Sequence, residues 1–263
     1  MVFKNVSVKN TAKGLSVKIV VVIPARYGSS RFEAKVLANK TGKYLVQHSY
    51  ERALLAGGVT GVIVATDDNR VLQACKYFGA PCVMTSVAHQ SGTDRIAEAV
   101  KNTPADIVVN LQADEPEIDP ANIEKVAGLL VRDADADMAT LIAPFESAEQ
   151  VANPNIVKCV TDTRGRALYF SRSPVPYNRQ AGGVGDFVKG YWRHLGIYAY
   201  RKRFLMKFTE LAPSFLETTE KLEQLRALEN GYTILTAKVD RVWDGVDTPE
   251  QYNEFVKRYL NKK

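Results

Sequence analysis

Three short apolar runs constrain what this chain can fold into: Ile19 to Ile23 (IVVVI), Val62 to Ala65 within GVIVATDD, and Ile107 to Val109 within DIVVNLQADEP. Each is rich in β-branched residues and lacks the apolar–polar alternation of a strand with one wet face, so each predicts a strand covered on both faces. Helix-like segments separate them. YLVQHSYERALLAG is closed by Gly57-Gly58, NRVLQACKYFG has Asn69 as its N-cap, and SGTDRIAEAVKN starts from a Ser-Gly-Thr turn. APCVMT adds a short strand, and DPANIEKVAGLLVRD a helix with Pro120 near its first turn. The alternation predicts an α/β fold, a mostly parallel central sheet with helices on both faces.

The second half changes character. ADMATLIAPF, NIVKCVTD and GRALYFSRSPVPY read as strands with short polar breaks, which predicts an antiparallel elaboration. HLGIYAYRKRFLMKFTEL is a strand running into a helix. ETTEKLEQLRALENG reads as one long helix, with Leu222, Leu225 and Leu228 at core spacing and Gly231 closing it. YTILTAKVD is a last strand, and TPEQYNEFVKRYL a C-terminal helix capped by Thr248 with Pro249 first. Without a Pro-, Gly- or Ser-rich linker or an internal repeat, the expected organisation is a tail over residues 1–17 and a single domain over 18–263.

Those strands end in chemistry. After Pro24 stops the first run, Arg26, Arg31 and Lys35 surround a Gly28-Ser29-Ser30 loop. Such a loop at the carboxyl end of a central strand is where open α/β sheets bind ligands, and cations there suit a phosphate chain. It is not a Walker loop, since no G-x-x-x-x-G-K-[ST] occurs. The strand NLQADEP delivers Gln112, Asp114 and Glu115 to the same edge, and DGVDTPE sets Asp247 just before a helix. Asp247 could serve as a helix-dipole carboxylate. The functional alternative pairs it with Asp114 around Mg²⁺, which takes oxygen ligands alongside substrate phosphates.

Composition narrows the classes. The chain has 263 residues, 24% charged, with a net charge of +6 spread along its length rather than gathered in a stripe. That fits an anionic small substrate at least as well as nucleic acid, and no RNP aromatic pattern, helix-turn-helix signature or zinc-finger spacing occurs. Cys75, Cys82 and Cys159 form no C-x-x-C pair and leave an odd count, which predicts reduced thiols in a reducing, cytoplasmic setting rather than disulfides or a metal site. No apolar run approaches a membrane span. The acid-poor start, MVFKNVSVKNTAKGLSVK, lacks an apolar core for a secretory signal and is read as a frayed tail.

Seven segments in order, IPARYGSSR with the following Lys35, HQSGTDR, LQADEP, ALYFSRSPVPY, RHLGIYAY, KLEQLRALENG and GVDTPE, resemble the 3-deoxy-manno-octulosonate (Kdo) cytidylyltransferases from about Val17 to about Tyr259. The resemblance implies a Rossmann-like nucleotidyltransferase fold, Mg²⁺ as cofactor, a homodimer, and the reaction CTP + Kdo → CMP-Kdo + pyrophosphate for lipopolysaccharide biosynthesis. It implies that Arg26 and Lys35 grip the triphosphate with help from Arg31, that Ala25 belongs to the same nucleotide site, and that Asp114 and Asp247 hold the metal. Ser91 and Arg95 then line the cytosine pocket, with Gln112 nearby, and His89 is not counted among the binding residues. For the acidic sugar, Arg172 is the leading carboxylate partner and Arg179 the second. His194 and Tyr198, four apart on one strand and so on one face, join them, and Glu223 and Gln224 meet sugar hydroxyls.

Two departures stand out. Where the family reads R-x-P-G-K-P-L, this chain has Arg31-Phe32-Glu33-Ala34-Lys35-Val36-Leu37, without the Pro-Gly that shapes the turn. Where it reads Q-G-D-E-P, residue 113 is Ala, a restriction if that position needs positive φ. Other readings remain open at this point. They are a cytidylyltransferase for 8-amino-Kdo or sialic acid, a metal-dependent glycosyltransferase, whose D-x-D signature occurs only in DADAD (133–137), and a nucleotide-binding regulator that has lost catalysis.

Overall fold

The structure is a computed structural model that describes residues 17–29, 31–186, 190–240 and 245–261. The expected tail lies, apart from Val17, outside the described residues. The chain divides into two compact units. One takes in the chain up to Glu124 and the C-terminal segment; the other is Lys125–Val242.

In the first unit, β1 (Ile19–Pro24), β2 (Val59–Thr66), β3 (Cys82–Met84) and β4 (Ile107–Asn110) lie in the order β3-β2-β1-β4, and their pairings are parallel. The sequence reason is visible in the burial. Val20 to Ile23 and Ile107 to Val109 have essentially no exposed surface, as runs without polar alternation require. Helices α1 (Leu45–Leu54), α2 (Asn69–Tyr77) and α3 (Gly92–Val100) connect the strands, and α4 (Pro120–Arg132) follows β4. The chain winds from β1 through β2 to β3 on one side, then crosses back to set β4 on the other side of β1. That reversal opens a crevice at the carboxyl ends of β1 and β4, the place where doubly wound sheets take ligands.

One cap differs from expectation. Asp68, not Asn69, caps α2, its Oδ1 accepting from the Arg70 N–H at 2.8 Å. A carboxylate at the positive helix end is also favoured by the dipole, so the residue one place earlier takes the role. The C-terminal helix (Pro249–Asn261) starts as predicted. Thr248 Oγ1 accepts from Gln251 N–H, and the Gln251 side chain accepts from Thr248 N–H in return. Its Tyr252 and Phe255 pack with Leu45 and Val246, and Phe32 joins that cluster with its ring centroid 5.6 Å from that of Tyr252.

The second unit carries the antiparallel elaboration. Its elements are β5 (Met138–Pro144), α5 (Ala148–Ala152), β6 (Lys158–Thr161), β7 (Ala167–Ser171), β8 (Trp192–Arg201), α6 (Lys202–Phe208), α7 (Phe215–Glu220), α8 (Gln224–Glu229) and β9 (Ile234–Lys238). Strand β5 runs antiparallel to β8 and parallel to β9, and β6 is antiparallel to β7 and β8. DADAD is a turn after α4, where Asp133 Oδ1 accepts from the N–H groups of Asp135 and Ala136. That is ordinary Asx-turn chemistry, not a metal-binding strand end.

The long helix expected over ETTEKLEQLRALENG is two helices. A capping box between Ser214 and Glu217 starts α7, and Lys221 then turns left-handed at φ 54° before α8 begins. The carbonyls of Glu220 and Lys221 accept from the Arg172 guanidinium at 2.7 and 3.4 Å, so a side chain from β7's end takes acceptors that a continuous helix would need. Glu217 and Arg226 then pair across the break at 2.5 Å. Leucine spacing picked out Leu222 and Leu225, which are buried, but Leu228 is half-buried with Ala227 turned inward instead, and the spacing could not see the guanidinium at the break.

Candidate functional site

A cleft of about 520 Å³ opens at the β1/β4 crevice, and its floor is the first strand's end. Among the residues lining it are Arg26, Gly28, Arg31, Lys35, Gln112, Asp114 and Asp247. These are the segments that sequence reasoning assigned to one sheet edge. Arg26 is exposed, with its side chain at the end of β1. The loop that follows is pinned at both sides: the Arg70 guanidinium stacks 3.4 Å from the centre of the Tyr27 ring, and Lys40 N–H donates to the Tyr252 hydroxyl at 2.7 Å.

Within this loop, Ala34 takes the left-handed conformation, φ 53° and ψ 23°, and starts a 3₁₀ turn over Lys35–Leu37. That is the conformation for which glycine is the default, so this turn places a less suited residue in the left-handed region. Ala113, by contrast, is not among the positive-φ residues, and its carbonyl accepts from Ser49 Oγ at 2.9 Å. Alanine is therefore accommodated there.

The turn brings Lys35 between two carboxylates. Its Nζ lies 2.5 Å from Asp114 Oδ2 and 3.0 Å from Asp247 Oδ1, and Arg31 lies 3.0 Å from the same Asp247 oxygen. A backbone bond holds the carboxylates together, Val246 N–H donating to Asp114 C=O at 2.8 Å. Burial alone would pull the Lys35 pKa down. The charges and hydrogen bonds of Asp114 and Asp247 outweigh it and hold the pKa above the ordinary lysine value. The ammonium shows that these two carboxylates can share one cation, and two acidic oxygen donors suit a hard divalent ion whose other positions are filled by water or phosphate.

The base-side candidates divide. Arg95 is completely buried and lines the cleft, with NH1 donating to Thr85 Oγ1 and NH2 to Asp67 Oδ2, both at 2.6 Å. Gln112 lines it too, whereas the Ser91 side chain caps α3 by accepting from Asp94 N–H at 3.0 Å. Its neighbour Gly92 reaches the cleft in its place. Ala25 is buried, with its N–H on Ala65 C=O. His89 pairs with Glu98. Asp67 and Thr85 were not singled out from sequence; the acidic end of GVIVATDD was the available signal.

The sugar-side candidates lie in the second unit. His194 and Tyr198 do share a face of β8, ring centroids 5.3 Å apart, with Phe170 against the imidazole at 4.8 Å. Thr140 Oγ1 donates to the carbonyls of Leu195 or Ile197, so toward His194 Nε2, 3.1 Å away, it accepts. That fixes the proton on Nε2 and leaves Nδ1 as an acceptor. Burial pushes the imidazole pKa down to about 3, and it pushes the Tyr198 phenol up, with Glu223's charge adding to the rise. Gln224 is buried, and its Nε2 has no acceptor.

Arg172 meets three backbone carbonyls: Glu220 and Lys221 through Nε and NH2, and Pro154 through NH1 at 3.0 Å. Arg179 is exposed in the 178–183 turn. Sequence reasoning missed Lys158, which has no exposed surface and donates from Nζ to the carbonyls of Asn153, Ile156 and Arg172. Burial lowers its pKa; Glu220's charge opposes and Arg172's adds to the drop. A lysine inside an alternating strand carries no signal for such a role.

Fold and cleft together define a class: a Rossmann-like α/β protein that sets three cations and a carboxylate pair at the switch point of a parallel sheet. Known proteins place it further. The cytidylyltransferase family profile matches residues 20–234. The 3-deoxy-manno-octulosonate cytidylyltransferase of Geotalea daltonii is 46% identical over 251 residues, covering 93% of this chain and 99% of that protein. That of Geobacter metallireducens is 48% identical over 247 residues, covering 92% and 97%. The solved CMP:2-keto-3-deoxy-manno-octonic acid synthetase complexed with CTP superposes with a TM-score of 0.88 at 45% identity, covering 94% of this chain and 100% of that one. A cytidylyltransferase from Leptospira borgpetersenii, 17% identical with a TM-score of 0.60, shares the fold. This chain belongs to the cytidylyltransferase family, as a member of its 3-deoxy-manno-octulosonate branch.

Proposed function

We propose that this protein transfers CMP from CTP to Kdo, releasing pyrophosphate. The observation that carries the reading is the Lys35 ammonium held between Asp114 and Asp247, with Arg31 on the same carboxylate and Arg26 on the same cleft. Arg26, Arg31 and Lys35 against Asp114 and Asp247 leave this part of the cleft net positive, which favours a polyanion such as a triphosphate; Arg95, a further cation lining it, is paired with Asp67.

The sugar's anomeric hydroxyl oxygen forms a bond to the α-phosphorus, the bond from that phosphorus to the β-phosphate oxygen breaks, and the hydroxyl proton passes to solvent. In this reading Arg26, Arg31 and Lys35 bind the triphosphate and stabilise the charge that grows on the departing pyrophosphate. Asp114 and Asp247 are the residues to hold Mg²⁺, which when bound supplies charge neutralisation at phosphate and a lower pKa for the attacking hydroxyl. On the sugar side, His194 stays neutral and offers Nδ1 to a hydroxyl, and Gln224 Nε2 offers a donor. Arg172 retains N–H groups beyond the three on backbone carbonyls for the sugar's carboxylate.

Pyrophosphate release tests the reading, measured with CTP or UTP, with and without Mg²⁺, and with Kdo, 8-amino-Kdo or sialic acid. The expected result is release that requires Mg²⁺, prefers CTP and is fastest with Kdo. Equal rates with UTP, or release independent of the sugar acid, would overturn it. The reading includes a homodimer, which sedimentation velocity tests. It also includes a cytoplasmic place in lipopolysaccharide biosynthesis, supported by the relatives' activity. No helix among the described residues is long and apolar enough to cross a membrane.

A further inference from the structure

Among the described residues, Arg95 is the largest fully buried side chain, and the cation stands on the wall of the nucleotide cleft. Three elements fix it. It rises from α3, its NH2 meets Asp67 just past the end of β2, and its NH1 meets Thr85 just past the end of β3. Thr85 is itself fixed: its hydroxyl donates to Thr66 C=O at 3.1 Å, so its oxygen is left to accept from the guanidinium. Asp67 is the carboxylate that pairs with this cation, and the side-chain exposure is 0% on the arginine and 19% on the aspartate. The Arg95 Nε–H has no acceptor in the protein.

We infer that Asp67 is a positioning residue for nucleobase selection, acting through Arg95, an inference that rests on the CTP-dependent reading above. The chemistry runs as follows. A guanidinium only donates. Cytosine presents O2 and N3 as neighbouring acceptors, whereas uracil presents O2 beside an N3–H donor. A cation that could swing aside would tolerate either base. One anchored at both terminal nitrogens cannot, so the second N–H of each terminal nitrogen is held in a fixed direction, which favours a base edge made of acceptors and disfavours one that presents a donor. Asp67 supplies the anchor that is charged, and Thr85 the one that is neutral. Asp67 does not line the cleft, so its effect on the base is indirect.

The test uses Asp67→Asn, which keeps size and an acceptor but removes the charge, and Thr85→Val, which removes the other acceptor with little change of shape. Calorimetric titration of each protein with CTP and with UTP reads binding without turnover, and steady-state kinetics separates KM from kcat. Asp67→Asn is expected to weaken CTP by about tenfold or more while weakening UTP less, narrowing the CTP:UTP ratio. KM for CTP should rise far more than kcat falls, and KM for Kdo should hold. Thr85→Val is expected to move the same ratio in the same direction by less. Asp67→Glu should restore part of it. If Asp67→Asn fails to fold, Thr85→Val alone decides. A folded variant with a lower Tm and an unchanged CTP:UTP ratio would refute the inference and leave Asp67 a structural ion-pair partner. A wild-type protein that binds CTP and UTP equally would instead refute the CTP reading itself.

Discussion

Ala34→Gly is the substitution for which the structure gives opposing magnitudes that can be weighed. Ala34 sits at φ 53°, ψ 23°, where an L-residue's Cβ crowds the following carbonyl. That crowding costs roughly 1–2 kcal/mol. Glycine removes it, but it also gives the unfolded chain more conformations to lose, a penalty of about 0.4–1 kcal/mol. The difference favours the variant by about 0–1.5 kcal/mol, most simply near 1, and for a chain this size about 1 kcal/mol raises Tm by roughly 2–4 °C. The local hydrogen bonds survive the change, because Leu37 N–H to Ala34 C=O and Lys35 N–H to Phe32 C=O are backbone bonds.

Differential scanning calorimetry at fixed protein concentration reads the shift. Lys221→Gly is the control: Lys221 is also left-handed, at φ 54°, in a segment that makes no part of the nucleotide cleft. Both variants should gain. A fall in Tm for Ala34→Gly while Lys221→Gly gains would refute the reasoning. It would mean that the turn draws something from the Ala34 methyl that outweighs its strain. Lys35 follows Ala34 directly, so the same pair of variants shows whether backbone strain at the turn matters for CTP binding. A release of strain alone predicts a higher Tm with KM for CTP unchanged.

Three further outcomes follow from the geometry. Asp114→Asn and Asp247→Asn should each cut kcat severely, and the double variant should cost little more than the worse single change, because groups sharing one cation are not additive; a kcat for Asp247→Asn near wild type would dismiss the shared site. Arg172→Ala should lower Tm as well as raise KM for Kdo, since the carbonyls of Pro154, Glu220 and Lys221 lose their donor, and Arg172→Lys should not restore Tm, because an ammonium cannot match that planar fork; full recovery by lysine would show that only charge matters. His194, held at about 3 in the folded protein against an ordinary value near 6.5, binds its proton more readily when unfolded, so its contribution to stability is present above about pH 6.5 and is lost progressively as pH falls from there toward 3. Urea melts of wild type and His194→Gln should therefore converge on acidification, and parallel curves would count against the buried neutral imidazole.

The parts of this molecule that were legible in the sequence are those where one local pattern has one structural solution. An unbroken β-branched run such as IVVVI has to be covered on both faces, and a strand that ends in Pro24 followed by cations has to open its loop at the sheet's carboxyl edge. Hence the crevice, and the arrival of Lys35 and Asp114 at one edge of the sheet across 79 residues of separation, could be argued, though not the bond between them. What stayed hidden depends on groups that compete for the same partner. Ser91 carries the same hydroxyl whether it reads a base or caps α3; its oxygen accepts from Asp94 N–H three residues away, a contact that needs no tertiary structure and that leaves the O–H to donate. Arg172 looked like a free cation for a sugar acid, yet three carbonyls reach it first, and two of them, those of Glu220 and Lys221, lie where a helix that leucine spacing had drawn as continuous comes to an end. Lys158 is the extreme case, a charge placed in a strand and wholly buried on carbonyl oxygens, where no periodicity could announce it. Asp67 belongs with these: a carboxylate at a strand end suggests a ligand, and only the distance to Arg95 shows that its partner is a side chain. Sequence pattern thus locates the edge at which chemistry happens, while the division of labour among its polar groups is settled by which acceptor lies nearest in the folded chain.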